Sequence, residues 1–545
     1  MLNKRTKKSI VAILVMGLLT LTFVINAFAA TTKRTLEVSG GPISLVLEGQ
    51  KIHFANGEND NSMEPFLADG RVYVPIRALA DALGKTVEWD EKTNTVYVRA
   101  KVSGDHQLLE EKNEFLSTKA PYPYQETTYT EPPAGYEPIF INHVGRHGSR
   151  HLSSAKYDKT LMELLTIAEN EGDITDVGRE LKNEVARLME VERENYGQLT
   201  ISGKQELKDM GIRAGHHYRG IFGEEKQIKA FATFKDRAPD SRDEFLNGLR
   251  ESLAGMDLDI ESSSYEENRD PYLRPFDISP NYKEYKDNGE WIGIYKEYLS
   301  REQSTIYARE VLLQLFSEAF YNRLAAGEFK LKDEKGKVNL KNPTDAAFNL
   351  YQLYIISSNL KGEGPFEFRK YFTDAQLQWY EGIDSIEDFY EKGPSLPSTD
   401  LPQNISAPLV KELIVSTEES LRKQDVAGIF RFAHAETIIP LSSFLDIQGA
   451  NVSTAQAEQV SQIWKASVIS PMAANIQWVL YSNGNDYLVK MLRNEQEIAF
   501  PIETEHYPYY RWEDVKAYYQ EKVQRLGVDL KNTLEEDITL LNESF

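Results

Sequence analysis

The sequence predicts an α/β fold with an inserted, mainly helical domain, preceded by a small α+β module. Three observations carry this. The apolar runs 138–144, 227–233 and 427–433 each read as a short buried strand, and each delivers polar or charged residues at its carboxyl end. Helical periodicity follows the first two strands and dominates residues 256–415. A separate set of strand and turn signals occupies residues 36–100.

Residues 1–30 read as a signal peptide: Lys4, Arg5, Lys7 and Lys8 precede an apolar run from Ile10 to Phe28 and the cleavage pattern Ala27-Phe28-Ala29. The run is also nearly long enough for an uncleaved membrane anchor. In residues 36–100, Ile43–Leu47, Lys51–Phe54 and Arg71–Pro75 read as strands, and 76–83 as a short helix. Thr86–Trp89 and Thr95–Val98 read as a hairpin around the turn Asp90–Asn94. His53 stands alone, so nothing here has metal-ligand spacing. Residues 101–135, with Pro121, Pro123, Pro132 and Pro133, read as a semi-rigid linker.

The strand 138–144 runs into Arg146-His147-Gly148-Ser149-Arg150. An imidazole between two guanidiniums suits attack on phosphorus, because the arginines neutralise the phosphoryl oxygens. Gly148 lets a ligand approach the backbone. Tyr157, Leu161, Leu164, Leu165 and Ala168 follow at helical spacing, so a helix is expected to point its N-terminus at the phosphate. Ser202 and Gln205 suggest a capping box for the next helix, and Ser241 and Glu244 one for the helix after the second strand. That strand leads to Arg237. The third strand delivers His434-Ala435-Glu436, and 477–481 with 487–492 read as a late hairpin.

Together these residues resemble the histidine phosphatase superfamily, in its histidine acid phosphatase and phytase branch, over residues 136–545. Arg146, His147 and Arg150 match its RHGxR motif, and Arg237 its third phosphate-binding arginine. His434-Ala435-Glu436, Ala473–Trp478 and Val489–Glu495 are similar to the multiple inositol polyphosphate phosphatases. The resemblance implies a phosphoglycerate-mutase-like core. It implies His147 as nucleophile, Arg146, Arg150, Arg237 and His434 as phosphate ligands, and Glu436 as proton donor. The family's usual proline two residues after the second arginine is replaced by Leu152. Residues 71–98 resemble the copper amine oxidase N-terminal-like module of bacterial envelope proteins.

Composition bounds the partners. The formal net charge of -22 argues against a nucleic-acid binder, and the absence of cysteine excludes disulfides, thiol catalysis and thiolate metal sites. The expectation is a secreted bacterial phosphomonoesterase that needs no metal or cofactor, acts on phytate-like substrates through a phosphohistidine, and associates with the cell wall through its first module. A general histidine acid phosphatase and a non-catalytic envelope-binding protein are the alternatives. His143 reads as a core residue, His151 as a candidate for the pocket mouth, His216 and His217 as packing or solvent-facing, and Lys490 and Arg493 as neighbours of the site. The aromatic run at 507–512 reads as ordinary packing.

Overall fold

The computed structural model describes residues 115–545, residue 224 excepted, and parts of the segment 38–100. The chain divides into two compact units, 1–103 and 104–545. In the first unit, Val38–Ser39, Phe66–Ala68 and Arg71–Tyr73 form an antiparallel sheet. Leu45–Leu47 pairs with Gln50–Ile52, and Lys85–Asp90 with Thr95–Ala100. The last pair is the expected hairpin. The leader, His53 and nearly all of the 76–83 helix lie outside the described residues.

The second unit is built on eight strands: β1 (Glu137–Arg146), β2 (Gln227–Ala232), β3 (Ile260–Ser264), β4 (Val426–Ala433), β5 (Asn475–Ser482), β6 (Tyr487–Arg493), β7 (Gln496–Ile498) and β8 (Tyr510–Arg511). Their order is β3-β2-β4-β1-β5-β6-β7, with β8 on β6. The strands β3, β2, β4 and β1 are parallel, whereas β5 and β6 form the expected antiparallel hairpin beside β1. β4 is buried almost throughout, as a parallel strand covered on both faces must be. Ile141, Phe430 and Phe432 enter one hydrophobic layer, and Phe140, Val144 and Ile429 the other. This is the alternation of a pleated strand.

The principal helices are α1 (Tyr157–Glu171), α2 (Asp176–Glu192), α3 (Ile201–His217), α4 (Arg237–Ser252), α5 (Pro343–Ser357), α6 (Asp374–Lys392), α7 (Ala407–Lys423), α8 (Ala435–Phe444) and α9 (Trp512–Arg525). Leu207 and Met210 of α3 and Phe245 and Leu249 of α4 cover one face of the sheet. Leu413 of α7, Ile438 of α8 and Trp512 of α9 cover the other. A third core joins Leu161 and Leu165 of α1, Val185 and Leu188 of α2, Leu350 and Leu353 of α5, and Tyr380 and Ile383 of α6.

This third core corrects the expected insertion at 256–415. Residues 260–264 belong to the sheet as β3, and α7 packs on the sheet, where Asn142 Nδ2 donates to the Leu413 carbonyl at 3.0 Å. In exchange, α1 and α2, from the segment before β2, belong to the helical domain. The linker is also shorter than its prolines suggest. From residue 115 the chain is part of the second unit, with Leu116, Thr118 and Tyr122 buried. Tyr122 Oη donates to Glu495 at 2.8 Å, and the Met472 amide to the Ala120 carbonyl at 2.8 Å.

Two helix starts shift as well. α3 is capped by Thr200, whose hydroxyl accepts the Gly203 amide at 3.0 Å, so the helix begins before Ser202. α4 begins at Arg237, and Ser241 lies inside it, donating back to the Arg237 carbonyl at 2.7 Å.

Candidate active site

The register brings the expected residues together. Ala433 lies opposite Arg146 and Phe432 opposite Ala232, so β1, β2 and β4 end level. His147 and His434 leave adjacent strands, with ring centroids 5.4 Å apart. The His147 amide donates to the Ala433 carbonyl at 2.9 Å, and the Ala473 amide to the His147 carbonyl at 2.9 Å. This is the carboxyl edge of a parallel sheet, where open α/β folds bind ligands.

The RHGSR loop is held by its surroundings. A Cβ on Gly148 would stand 2.5 Å from the Gly203 carbonyl oxygen, and one on Gly203 would stand 1.9 Å from that of Ser149. Gly148 thus serves close packing on α3. The buried carboxylate of Glu206 accepts the Ser149 amide at 2.7 Å, the Ser149 hydroxyl at 2.7 Å and the Tyr122 amide at 3.1 Å. The Gly148 amide donates to Ser241 Oγ at 3.2 Å, and Arg150 N to Asn359 Oδ1 at 3.2 Å. Leu152, where the family has proline, uses the N–H that proline lacks: it donates to the buried Glu192 carboxylate at 3.1 Å. After this loop α1 starts only at Tyr157. The helices that begin directly at site residues are α4, at Arg237, and α8, with His434 as its cap.

His147 Nδ1 lies 2.9 Å from the Gly148 carbonyl oxygen. A carbonyl only accepts, so the proton is on Nδ1 and Nε2 keeps its lone pair. Burial, then the charges of Arg237, Arg146, His434 and Arg150, hold its pKa well below the ordinary histidine value. His434 is likewise depressed, by burial and by Arg237. Its Nε2 meets the Thr233 hydroxyl at 2.8 Å, and its buried Nδ1 has no partner among the described residues.

Arg146, Arg150 and Arg237 are each lowered to about 10, by burial first and then by one another, and stay charged at neutral pH. Arg146 Nη1 donates to the Thr118 and Ser470 carbonyls, both at 2.6 Å, which fixes its plane. The buried Nε atoms of Arg146 and Arg237 find no acceptor among the described residues. Three cations and an unpaired imidazole nitrogen converging beside a neutral histidine make an anion site.

Glu436 lies in the first turn of α8. Burial pushes its pKa up, but Lys392, His434, the helix backbone and Arg237 outweigh this and hold it below the usual carboxylate range. Lys392, at the end of α6, pairs with Asp388 at 2.5 Å and is raised well above the ordinary lysine value: burial opposes this, but Asp388, Glu391 and Glu436 prevail. It carries no motif, and no local pattern marks it or the backbone oxygens of Thr118 and Ser470.

His143, His151, His217 and Lys490 have neighbours of their own. His143 is enclosed by Phe245, Phe430 and Phe432. His151 is buried against Glu192 and Glu363, with ring nitrogens 3.5 and 3.9 Å from their carboxylates. His217 packs on Tyr129, with ring centroids 4.9 Å apart. Lys490 is boxed by Tyr129, Tyr481 and Tyr509 and bonded to Glu497 at 2.9 Å. Among the described residues no group of three or more His, Cys, Asp or Glu side chains has a metal-holding arrangement.

Residues 139–494 match the model of the histidine phosphatase superfamily (branch 2), and residues 29–108 that of the copper amine oxidase N-terminal domain. The donor set of the described residues does not fit a copper site. Comparison with curated proteins returned no match. Among solved structures, the multiple inositol polyphosphate phosphatase of Bifidobacterium longum in complex with inositol hexasulfate is 26% identical, with a TM-score of 0.68, over 75% of this chain and 97% of that one. Its phosphate complex is 25% identical, with a TM-score of 0.69, over 75% and 98%. The D. castellii phytase shares the fold at 19% identity and a TM-score of 0.58, over 79% and 88%. With the family model spanning well over half its length, the chain belongs to branch 2 of the histidine phosphatase superfamily and is a phosphatase of the acid phosphatase and phytase kind.

Proposed function

We propose that this enzyme hydrolyses inositol polyphosphates such as phytate through a phosphohistidine on His147. The reading is carried by one observation: the lone pair of His147 Nε2 is left free beside three guanidiniums and the unpaired Nδ1 of His434. The inositol hexasulfate bound by the Bifidobacterium relative supports the substrate class.

In the first step Nε2 attacks phosphorus and the bond to the leaving oxygen breaks. Arg146, Arg150, Arg237 and His434 hold the three non-bridging oxygens. Glu436 gives the leaving oxygen its proton. In the second step Glu436 takes a proton from water, the water oxygen attacks phosphorus, and inorganic phosphate leaves His147. Glu436 is ionised in the free enzyme, so it acquires its proton as substrate binds. The phosphoryl dianion offsets the cations that depress it.

We further propose export through residues 1–30 and wall association through the first module. The leader pattern and the resemblance of that module to bacterial envelope proteins support this. Phosphate release from phytate by the purified protein tests the substrate. Release from simple monoesters alone would leave a general acid phosphatase. The N-terminal sequence of protein recovered from the culture medium tests export.

A further inference from the structure

Arg274 ends a loop that none of the roles above uses, and the loop is built to aim it. Thr437, next to Glu436, donates its hydroxyl to the Leu273 carbonyl at 2.6 Å. The buried Asp270 accepts the Leu273 amide at 2.7 Å. The residue before Arg274 is thereby tied to α8, and Pro275 restricts the backbone after it.

The guanidinium lies against two rings, with Cζ 5.0 Å from the centroid of Phe234 and 4.7 Å from that of Phe276. Phe234 follows Thr233, the partner of His434, and leads into the turn that carries Arg237. Arg274 therefore stands beside the phosphate site. Its charge is felt there, since it helps to lower both Arg237 and His434. Nε pairs with Asp277 at 2.5 Å, while Nη1 and Nη2 donate to no group among the described residues.

A guanidinium fixed on aromatic rings with two free amino groups has the geometry for a phosphate fork at little conformational cost. The reacting phosphoryl group already has three arginines and a histidine. We propose that Arg274 binds a second, non-reacting phosphate of a polyphosphorylated substrate, and so favours such substrates over simple monoesters. The proposal rests on the phosphatase reading and names what selects its substrate.

The test is inhibition of p-nitrophenyl phosphate hydrolysis by two probes, inositol hexasulfate and inorganic phosphate, in wild type, Arg274→Gln and Arg274→Lys. The ratio of the two inhibition constants removes any general loss at the reacting site. In Arg274→Gln, hexasulfate inhibition should weaken by about tenfold relative to phosphate, the scale of one lost charged hydrogen-bonded contact. Arg274→Lys should fall between. An unchanged ratio, or a wild-type enzyme that hexasulfate does not inhibit, would overturn the proposal. Phytate turnover by wild type is scored separately. If phytate is inert while the ratio still shifts, the phytate reading falls and the Arg274 site stands.

Discussion

His147 Nδ1 and the Gly148 carbonyl oxygen, 2.9 Å apart, fix which nitrogen of the His147 ring is free. The same buried, cation-rich surroundings hold the ring neutral well below the ordinary histidine pKa. Nitrogen chemical shifts of histidine-labelled enzyme, assigned by difference with His147→Ala, should show a neutral, Nδ1-protonated ring at pH 7 that persists as the pH falls through 6.5. Titration with an ordinary midpoint would contradict this.

His143 links pH to stability. Burial, and then the charge of Arg431, lower its pKa to about 3. Between the unfolded value of roughly 6.5 and this folded value the unfolded chain binds the extra proton, so stability falls as pH drops. His143→Leu removes the term. Relative to wild type it should gain about 1.4 kcal/mol per pH unit below pH ~6.5. Denaturant melts at several pH values measure it, and parallel curves for the two proteins would count against the assignment.

Glu436 should matter in proportion to the basicity of the leaving group. An inositol alkoxide must be protonated as it leaves, whereas nitrophenolate, with a pKa of roughly 7, leaves unaided. Glu436→Gln should slow the burst phase with phytate by about 100-fold or more, and far less with p-nitrophenyl phosphate. Equal losses would make Glu436 a positioning group.

Truncation should distinguish module from strap. A chain beginning at residue 104 keeps the whole second unit and should retain its turnover. One beginning at 136 loses the Thr118 carbonyl that holds Arg146, and the buried Tyr122. It should lose most activity, read as kcat/KM on p-nitrophenyl phosphate. Equal activity of the two chains would show that residues 115–135 do not support the site.

The strand ends and their charged residues were legible because each is encoded locally, by an apolar run followed at once by its polar group. What escaped is set by distant contacts. The strap at 115–122 looks like a linker because its prolines are local, while its burial depends on Arg146, Met472 and Glu495. β3 reads Ile-Glu-Ser-Ser-Ser and is mostly exposed, so it has no apolar alternation to declare it. Its loss moved the expected domain boundary. Thr200, which caps α3, lies two residues before Ser202, and α4 starts at Arg237, four residues before Ser241. Lys392 and Arg274 are ordinary cations in sequence, and only the fold brings their charge to Glu436, His434 and Arg237.

The most direct measurement is acid-free quenching of enzyme mixed with phosphorus-labelled substrate, followed by stability analysis of the labelled protein. His147 should carry the label in a bond that is acid-labile and alkali-stable, as a phosphoramidate is, and His147→Ala should carry none. No labelled enzyme under rapid quench, or a label on Ser149 with the acid stability of a phosphoserine, would contradict nucleophilic catalysis by His147.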